Sequence, residues 1–232
     1  MIAYAFRKMV ITVGNNRAVL RILYYIWRVF PYRPRRLLTA LFIKSVLFQK
    51  RVFRVDRQNS ITPINLLGNL SFWGVPQVDL ASYRLEVDGT VEKPTSFSLD
   101  QIRQLPVSAR EVRMDCVGGF RNNTVMEGTS IQDLLDLTGY QPETRRAVFH
   151  CADGYYVSID LQELLEHDAF IAYSVNGEAI PRFGYPLRLA VPGKYGYQWA
   201  KWLVRIELVS DERKGYWARL GLPDRAHVGD AW

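Results

Sequence analysis

The stretch Tyr83-Arg84-Leu85-Glu86-Val87-Asp88-Gly89 carries the pattern on which the predicted fold class depends. Its apolar residues occupy every second position, and charged residues stand between them. This alternation predicts a half-buried β-strand, because successive side chains of a strand point to opposite faces of the sheet. The final Asp-Gly dipeptide is typical of hairpin turns. The stretch therefore predicts a β-hairpin that packs on a core with one face.

Short strands and turn signals recur on both sides of this stretch. Further strands are predicted at residues 111–117, 147–151, 170–175, 187–191 and 202–208. Short helices are predicted to begin at the capping pairs Ser98 with Gln101, Thr129 with Gln132, and Asp160 with Glu163. Asn176-Gly177 predicts another hairpin. Because hairpins dominate and the βαβ rhythm is absent, we predict an α+β fold with mixed, largely antiparallel sheets and short helices.

Length and composition fit one folded domain with an appendage. The chain has 232 residues, of which 48% are hydrophobic, 13% aromatic and 23% charged, which excludes a collagen-like or wholly disordered chain. Two cysteines exclude a disulfide-dense secreted scaffold. The longest apolar run, residues 37–48, contains Lys44 and is shorter than the roughly 18 residues that a transmembrane helix needs.

Charge divides the chain into two parts. The net charge is +7, but residues 1–57 hold 13 Lys or Arg and a single acidic residue, whereas residues 58–232 hold 17 basic and 22 acidic residues. Such asymmetry is typical of a basic arm attached to an unrelated module. We therefore predict a basic amphipathic helical arm at residues 1–57 and a folded domain at residues 58–232.

The arm permits several interpretations. On a helix over residues 17–30, Arg17, Arg21 and Arg28 share one face, and Trp27 and Phe30 lie on the other. Such a helix binds a membrane surface, or it packs its apolar face on the domain or on a protein partner. Nucleic acid is the weakest alternative, and we predict no nucleic-acid partner. The pair at residues 35–36 resembles a twin-arginine signal, but no cleavage site follows, so we predict no cleavage.

Several common catalytic motifs are missing from the sequence. The three histidines, His150, His167 and His227, are far apart and lack the spacing of a zinc hydrolase. The chain also has neither a G-x-S-x-G nucleophile elbow nor a Walker phosphate loop. The sequence therefore gives no support to these enzyme classes.

Cys116 is the most informative single residue. It closes a predicted strand and precedes a Gly-Gly pair, so its thiol lies beside backbone that a ligand can approach closely. Arg113 and Arg121 are near in sequence and would favour the thiolate, the form that binds metals. A buried structural cysteine is the other interpretation. Cys151, inside an apolar strand, fits the structural interpretation better, and a disulfide between the two cysteines stays open.

The run from Pro181 to Trp202 is dense in Gly, Pro, aromatic and cationic residues. Glycines allow close approach of the backbone, Arg and Lys bind phosphate oxygens, and aromatic rings form flat walls. This composition is expected for a large, planar, phosphate-bearing ligand. A strand-loop-strand whose cations extend to the surface is the simpler alternative.

Together these residues resemble the molybdopterin-binding domain of the sulfite oxidase family, which includes bacterial methionine-sulfoxide reductase catalytic subunits. The resemblance extends from about residue 61 to about residue 217. The matching pieces are Ile61-Thr62-Pro63, Gly74-Val75-Pro76, the stretch 83–89, Met114-Asp115-Cys116-Val117, Ala152-Asp153-Gly154-Tyr155, Ala172-Tyr173, Asn176-Gly177-Glu178, the stretches 184–189 and 191–196, and Lys201-Trp202.

The resemblance implies a cofactor and the residues that hold it. The expected cofactor is Mo-molybdopterin, with one pyranopterin dithiolene and Cys116 as the protein ligand of molybdenum. A soft thiolate suits that role. The other implied cofactor-binding residues are Asn65, Gly68, Asn69, Cys151, Arg188, Tyr197, Gln198, Trp199 and Lys201. Of these, Arg188 and Lys201 match positions that bind the cofactor phosphate. Tyr155 matches an active-site tyrosine beside the metal, and Arg121 matches a substrate-facing cation.

The chain departs from the family pattern at several positions. Ser71-Phe72 stands where many relatives have an Asn-His pair, and Phe183 stands where many have His or Asn. The residues after Cys116, Val-Gly-Gly-Phe-Arg, match neither the sulfite oxidases nor the sulfoxide reductases well. The resemblance therefore predicts the cofactor more firmly than the substrate.

The implied function is two-electron oxygen-atom transfer on a small sulfur-containing or other oxyanion or oxide substrate, with a separate electron donor or acceptor. One alternative is a metal-free binding module of the same fold that its basic arm docks to a membrane or protein partner. Another is a structural subunit whose arm recruits a membrane electron carrier. Because the family loads its cofactor in the cytoplasm, we expect a cytoplasmic protein, peripheral at the inner face of the membrane, with export left open.

Overall fold

The computed structural model describes residues 34, 61–62, 64, 67, 75–117, 121–181 and 184–229. The arm at residues 1–57, apart from Pro34, lies outside the described residues, as do Asn65, Gly68 and Asn69. The strands and α-helices within the described ranges are β1 (Leu85–Gly89), β2 (Thr95–Phe97), α1 (Leu99–Arg103), β3 (Ser108–Asp115), β4 (Arg121–Ser130), α2 (Ile131–Thr138), β5 (Arg146–Cys151), β6 (Tyr156–Asp160), α3 (Leu161–Glu166), β7 (Phe170–Val175), β8 (Glu178–Ala179), β9 (Arg188–Ala190), β10 (Leu203–Val209) and α4 (Tyr216–Arg219). A 3₁₀ turn, Gly196–Gln198, lies between β9 and β10.

The strands form two mixed or antiparallel sheets. The first sheet has the order β2-β1-β10-β5-β6, in which β1 and β10 are parallel and the other neighbours are antiparallel. The second has the order β3-β4-β7-β8, with β9 also paired to β7, and all its pairs are antiparallel. The predicted α+β fold with mixed, largely antiparallel sheets is confirmed. No helix in the described ranges is both long enough and apolar enough to span a membrane.

The predicted hairpins and caps are largely confirmed. Asn176 and Gly177 join β7 to β8 with φ of 52° and 79°, the left-handed conformations that a tight hairpin turn requires. The capping box at Ser98 forms both of its hydrogen bonds. The predicted start of α2 is wrong by one residue, because Ser130 rather than Thr129 accepts the backbone N–H of the first turn.

The sequence pattern does not predict β4, which is the longest of the described strands. Three consecutive polar residues, Asn122, Asn123 and Thr124, are buried in it. The backbone of all three pairs with β3, whereas β7 pairs with β4 only from Met126 onward. In addition, the backbone N–H of Thr62 donates to the carbonyl of Asn123 at 2.7 Å. Backbone pairing therefore determines this strand, and apolar alternation does not.

The two sheets meet where β9 approaches the start of β10. The backbone N–H of Leu189 donates to Ala200 O at 2.8 Å, and that of Leu203 donates to Leu187 O at 3.0 Å. Arg188 and Lys201 form an antiparallel bridge at this junction. The fold therefore places Arg188 and Lys201 opposite each other where the two sheets meet.

Candidate functional site

Cys116 directly follows β3 and is 8% exposed. The 3₁₀ turn Gly196–Gln198 packs against the end of the same strand: a Cβ on Gly196 would lie 2.5 Å from Met114 Sδ and 3.5 Å from Asp115 O. Only glycine permits this approach without displacing the methionine. The absence of a side chain at Gly196 therefore brings the backbone of the turn close to the residue before Cys116.

Arg188 is a buried cation that has no acidic partner among the described residues. Its exposed fraction is 7%, and its Nε is buried without a hydrogen-bond partner. The guanidinium carbon lies 5.9 Å from the ring centroid of Trp199. Burial lowers the pKa of Arg188 to about 10. An arginine buried in this way is costly in free energy, so the position is suited to receive an anion.

Lys201 lies beside Arg188 and interacts with several groups. Burial, together with the charge of Arg188, lowers the pKa of Lys201 to about 8. Asp153, Cys151 and Cys116 act in the opposite direction on the same ammonium group. The backbone N–H of Ala152 donates to Trp202 O at 2.8 Å, which places Cys151 and Asp153 beside Lys201, and the charge interaction with Cys116 brings that cysteine into the same region. The fold thus assembles residues that are up to 85 positions apart in the sequence.

Cys151 ends β5, where it pairs with Leu203 of β10. Burial raises the pKa of the Cys151 thiol, so the thiol stays protonated at neutral pH. Neither Cys116 nor Cys151 is part of a disulfide, so the disulfide between them that the sequence left open is not formed. Cys151 therefore fits a neutral contact better than a metal-binding thiolate.

The 3₁₀ turn presents both backbone and side-chain groups to this region. Tyr155 Oη donates to the carbonyl of Tyr197 at 2.5 Å, and burial raises the pKa of Tyr155. Gln198 is 3% exposed; its Nε2 donates to Asp224 O at 2.8 Å, while its Oε1 is buried without a hydrogen-bond partner. Trp199 is 2% exposed. The turn therefore offers one buried acceptor, Gln198 Oε1, to a donor outside the protein.

Arg121 is bound by a neighbouring carboxylate. Its Nε and Nη2 both lie 2.9 Å from Asp115 Oδ1, across the β3–β4 pair. Arg113 also lies near Asp115, with Nε 3.7 Å from Oδ2. Both arginines that the sequence analysis placed near the Cys116 thiol thus interact with Asp115. The substrate-facing role of Arg121 stays a prediction.

The sequence profile of a known family matches this region of the chain. The profile is described as "Oxidoreductase molybdopterin binding domain", and it matches residues 72–217, more than half of the chain. These residues include the strand ends, the buried cations and the 3₁₀ turn described above. The chain belongs to this family.

Sequence matches to individual oxidoreductases support the same family assignment. The chain is 33% identical over 148 residues to "Putative protein-methionine-sulfoxide reductase subunit YedZ1" of Azospira oryzae, covering 63% of the chain and 56% of the relative. It is 30% identical over 156 residues to "Uncharacterized oxidoreductase YuiH" of Bacillus subtilis, covering 66% and 77%. It is 28% identical over 194 residues to sulfite oxidase of Arabidopsis thaliana, covering 67% and 49%.

A solved structure supports the same fold. The sulfane dehydrogenase SoxCD from Paracoccus pantotrophus superposes with a TM-score of 0.63 at 25% sequence identity, covering 66% of the chain and 45% of the SoxCD chain. The chain therefore spans about half the length of several relatives. The resemblance to the sulfite oxidase and methionine-sulfoxide reductase family is confirmed, and so is membership of a molybdopterin-dependent oxidoreductase family.

The structure brings together most of the predicted site residues that it describes. Cys116, Cys151, Arg188 and Lys201 gather at the junction of the sheets, and Tyr155 contacts the 3₁₀ turn. The predicted cofactor-binding residues Asn65, Gly68 and Asn69 lie outside the described residues. Their contact with a cofactor stays a prediction.

Sequence reasoning missed one residue of this region and misassigned another. Asp153 was not among the predicted site residues, although its charge acts on Lys201. The composition of residues 181–202 grouped Lys194 with phosphate-binding cations, whereas the structure buries Lys194 completely in an ion pair with Glu163. No local pattern reveals this pair, because its members are separated by 31 residues.

Proposed function

We propose that this chain binds the molybdopterin cofactor and catalyses two-electron oxygen-atom transfer. The observation that carries the proposal is Arg188, a buried cation with no acidic partner among the described residues, beside Lys201 and two cysteines. A family of molybdopterin-binding oxidoreductases matches this same region. A phosphate on the cofactor would supply the anion that Arg188 lacks.

The residues of the site fit such a cofactor at both of its ends. Arg188 Nε has an unused hydrogen-bond donor, and Lys201, whose pKa is about 8, is mainly protonated at neutral pH, so both suit phosphate. The buried acceptor Gln198 Oε1 suits an N–H donor such as those of a pterin ring. The thiol of Cys116, as thiolate, is a soft ligand that suits molybdenum.

Each residue would then have a defined task. When bound, the cofactor supplies two-electron redox chemistry and oxygen-atom transfer. Cys116 would hold the metal, and Arg188 and Lys201 would bind the phosphate. Tyr155 keeps its proton because burial raises its pKa, and its Oη fixes the carbonyl of Tyr197. The protein thus orients the cofactor and keeps water from the buried cations.

The substrate that we propose is a small sulfur-containing or other oxyanion or oxide molecule. Support comes from the printed names of relatives, which include a methionine-sulfoxide reductase subunit and sulfite oxidases. A two-electron reaction also needs an electron donor or acceptor, and the basic arm is the proposed contact with a membrane surface or protein partner. We keep the cytoplasmic face of the membrane as the proposed location.

Metal analysis of the purified protein tests the cofactor. Wild type, Cys116→Ala and Cys151→Ala are produced in one molybdenum-replete host, beside a control molybdoenzyme. We expect about one molybdenum per chain in wild type and a similar content in Cys151→Ala. Cys116→Ala should contain at least about tenfold less molybdenum. Mutation of a residue that only supports a metal ligand lowers metal affinity by about 10–100-fold, and loss of the ligand itself should cost at least as much. Folded wild type without molybdenum would favour the metal-free binding module.

Substrate assays on the loaded protein test the reaction. Reduction of methionine sulfoxide with a reduced dye and oxidation of sulfite with ferricyanide are measured side by side. Turnover of either substrate that is lost in Cys116→Ala supports oxygen-atom transfer. Loaded protein that turns over neither these nor other S-oxides and N-oxides would contradict the proposed substrate class while leaving the cofactor assignment intact.

A further inference from the structure

Lys194 is a second buried cation, on the loop that follows β9, and its environment differs from that of Arg188. Its side chain is 0% exposed, and its Nζ lies 2.5 Å from Glu163 Oε2 of α3. The same Nζ donates to the backbone carbonyl of Arg225 at 2.7 Å. With both partners inside the protein, Lys194 is not placed to bind a ligand phosphate. Its ammonium group instead joins helix α3, through Glu163, to the residues around Arg225.

These residues, 222–229, form a C-terminal segment that covers the loop before and within the 3₁₀ turn. Besides the bond from Lys194 Nζ, the hydrogen bonds that join the segment to the loop include Tyr195 N to Ala226 O at 2.8 Å, Val228 N to Gly193 O at 2.8 Å, Tyr197 Oη to Pro223 O at 2.7 Å, and Gln198 Nε2 to Asp224 O at 2.8 Å. The position of the turn therefore depends on the position of this segment, which the ammonium group of Lys194 holds against α3.

A second connection runs from Lys194 to the buried arginine. The indole Nε1 of Trp199 donates to the carbonyl oxygen of Lys194 at 3.0 Å. The ring of Trp199 in turn faces the guanidinium group of Arg188 at 5.9 Å. Because the side chain of Lys194 anchors its own backbone, it also anchors the acceptor on which the orientation of Trp199 depends.

We propose that Lys194, paired with Glu163, is a positioning residue for cofactor binding. It acts through Trp199 on Arg188, and through the C-terminal segment on Gln198, without touching the cofactor. The inference rests on the proposed function, because it assigns Lys194 a role in holding the cofactor-binding turn. Removal of residues that orient the groups of a metal site, without binding the metal themselves, commonly lowers metal affinity by about 10–100-fold.

Two variants and one matched control test this role. Lys194→Met removes the ammonium group at similar length, and Glu163→Gln removes the charge but keeps a hydrogen-bond acceptor. Ile102→Ala is the control, because Ile102 is fully buried in α1, which packs on β2 and β4. It should lower the melting temperature through a cavity without reaching the turn. All proteins are the full chain, checked by circular dichroism.

The first measurement is hydrogen–deuterium exchange of unloaded protein. In Lys194→Met we expect the peptide 195–199 to exchange at least about tenfold faster than in wild type, since local opening controls exchange. Ile102→Ala should leave this peptide unchanged. Equal exchange in Lys194→Met and wild type would overturn the positioning role whether or not the protein binds molybdenum. Should Lys194→Met fail to fold, Glu163→Gln gives the same comparison with a smaller increase.

The second measurement is the rate at which loaded protein loses molybdenum during dialysis. We expect Lys194→Met to lose it about tenfold faster than Ile102→Ala at comparable melting temperature. Equal loss rates in these two variants would show a merely structural role and overturn the inference. Wild type that never carries molybdenum would contradict the proposed function instead, and the exchange measurement would then decide the role of Lys194 alone.

Discussion

Arg188 and Lys194 are two buried cations six residues apart, and the chain treats them in opposite ways. Lys194 is paired with Glu163 at 2.5 Å, whereas Arg188 has no acidic partner among the described residues. Burial lowers the pKa of Arg188 to about 10, because removal of the guanidinium group from water disfavours its charged form. The charge of Lys194 is thus compensated within the protein, whereas that of Arg188 supports the proposal that a ligand supplies its anion.

The charge around Lys194 is distributed over several groups. Arg225 Nε lies 3.1 Å and His227 Nε2 lies 3.6 Å from Glu163 Oε1, on the side of the carboxylate away from Lys194. His167 and His227 stack edge to face with centroids 5.0 Å apart. Among the described residues, Arg188 has no such network of charges around it. The difference between the two positions leads to three predictions of decreasing size.

The largest effect is expected from Lys194→Met. Removing one partner of a buried ion pair leaves the other charge poorly compensated, so the free energy of unfolding should fall by about 3 kcal/mol. Urea denaturation measures this fall. The double variant Lys194→Met/Glu163→Leu should recover part of the loss, because it removes both charges. A loss below about 0.5 kcal/mol in the single variant would contradict the assignment of Lys194 to the fold.

A smaller effect of opposite sign is expected from Arg188→Met. Unloaded protein should become more stable by about 1–3 kcal/mol, because the variant removes a buried charge that no acid compensates. Arg146 provides a matched control: it is also buried, but its Nη1 lies 3.0 Å from Asp224 Oδ2. Arg146→Met should therefore destabilise the protein. Equal destabilisation by the two substitutions would remove the contrast between partnered and unpartnered cations.

The smallest effect concerns acid pH. Burial alone would raise the pKa of Glu163, but the hydrogen bond from Lys194 and the charges of Lys194, His227 and Arg225 hold it below the ordinary 4.5. The folded state therefore favours the carboxylate, whose stabilisation is present above pH 4.5 and is lost as the pH falls through the lower folded pKa. Each unit of the shift is worth about 1.4 kcal/mol.

Melting temperatures measured between pH 6 and pH 3 check this prediction. Wild type should lose more stability over that interval than Glu163→Gln, which has no carboxyl group to protonate at that position. Parallel curves for the two proteins would show that Glu163 has the same pKa in the folded and unfolded states.

Much of the fold is readable from local sequence. Alternation over residues 83–89 and the dipeptide Asn176-Gly177 predict hairpins that the structure contains. Strand β4 is different, because the backbone of its buried asparagines pairs with β3 and, at Asn123, with Thr62, which no local pattern records. The sequence predicts the N-cap of α2 one residue too early, at Thr129 instead of Ser130. Both residues carry a hydroxyl group, and only tertiary contacts select between them. Thr129 Oγ1 donates instead to Ile102 O at 3.1 Å.

The site is readable only in part. Arg188 and Lys201 follow from the family resemblance, and the structure places them together. Lys194 stands in the same cationic run, yet its partner Glu163 lies on a helix 31 residues earlier in the sequence. Sequence composition cannot separate a phosphate-binding lysine from one in a buried ion pair, because the difference depends on what the fold packs against each side chain.

The molybdenum content of Arg188→Met tests whether Arg188 binds the cofactor phosphate. Wild type and Arg188→Met are purified from the same molybdenum-replete host, and metal per folded chain is measured for each. We expect a folded variant, at least as stable as unloaded wild type, that carries at least about tenfold less molybdenum because a cofactor contact is lost. A folded Arg188→Met protein that carries as much molybdenum as wild type would contradict the assignment of Arg188 to the cofactor phosphate.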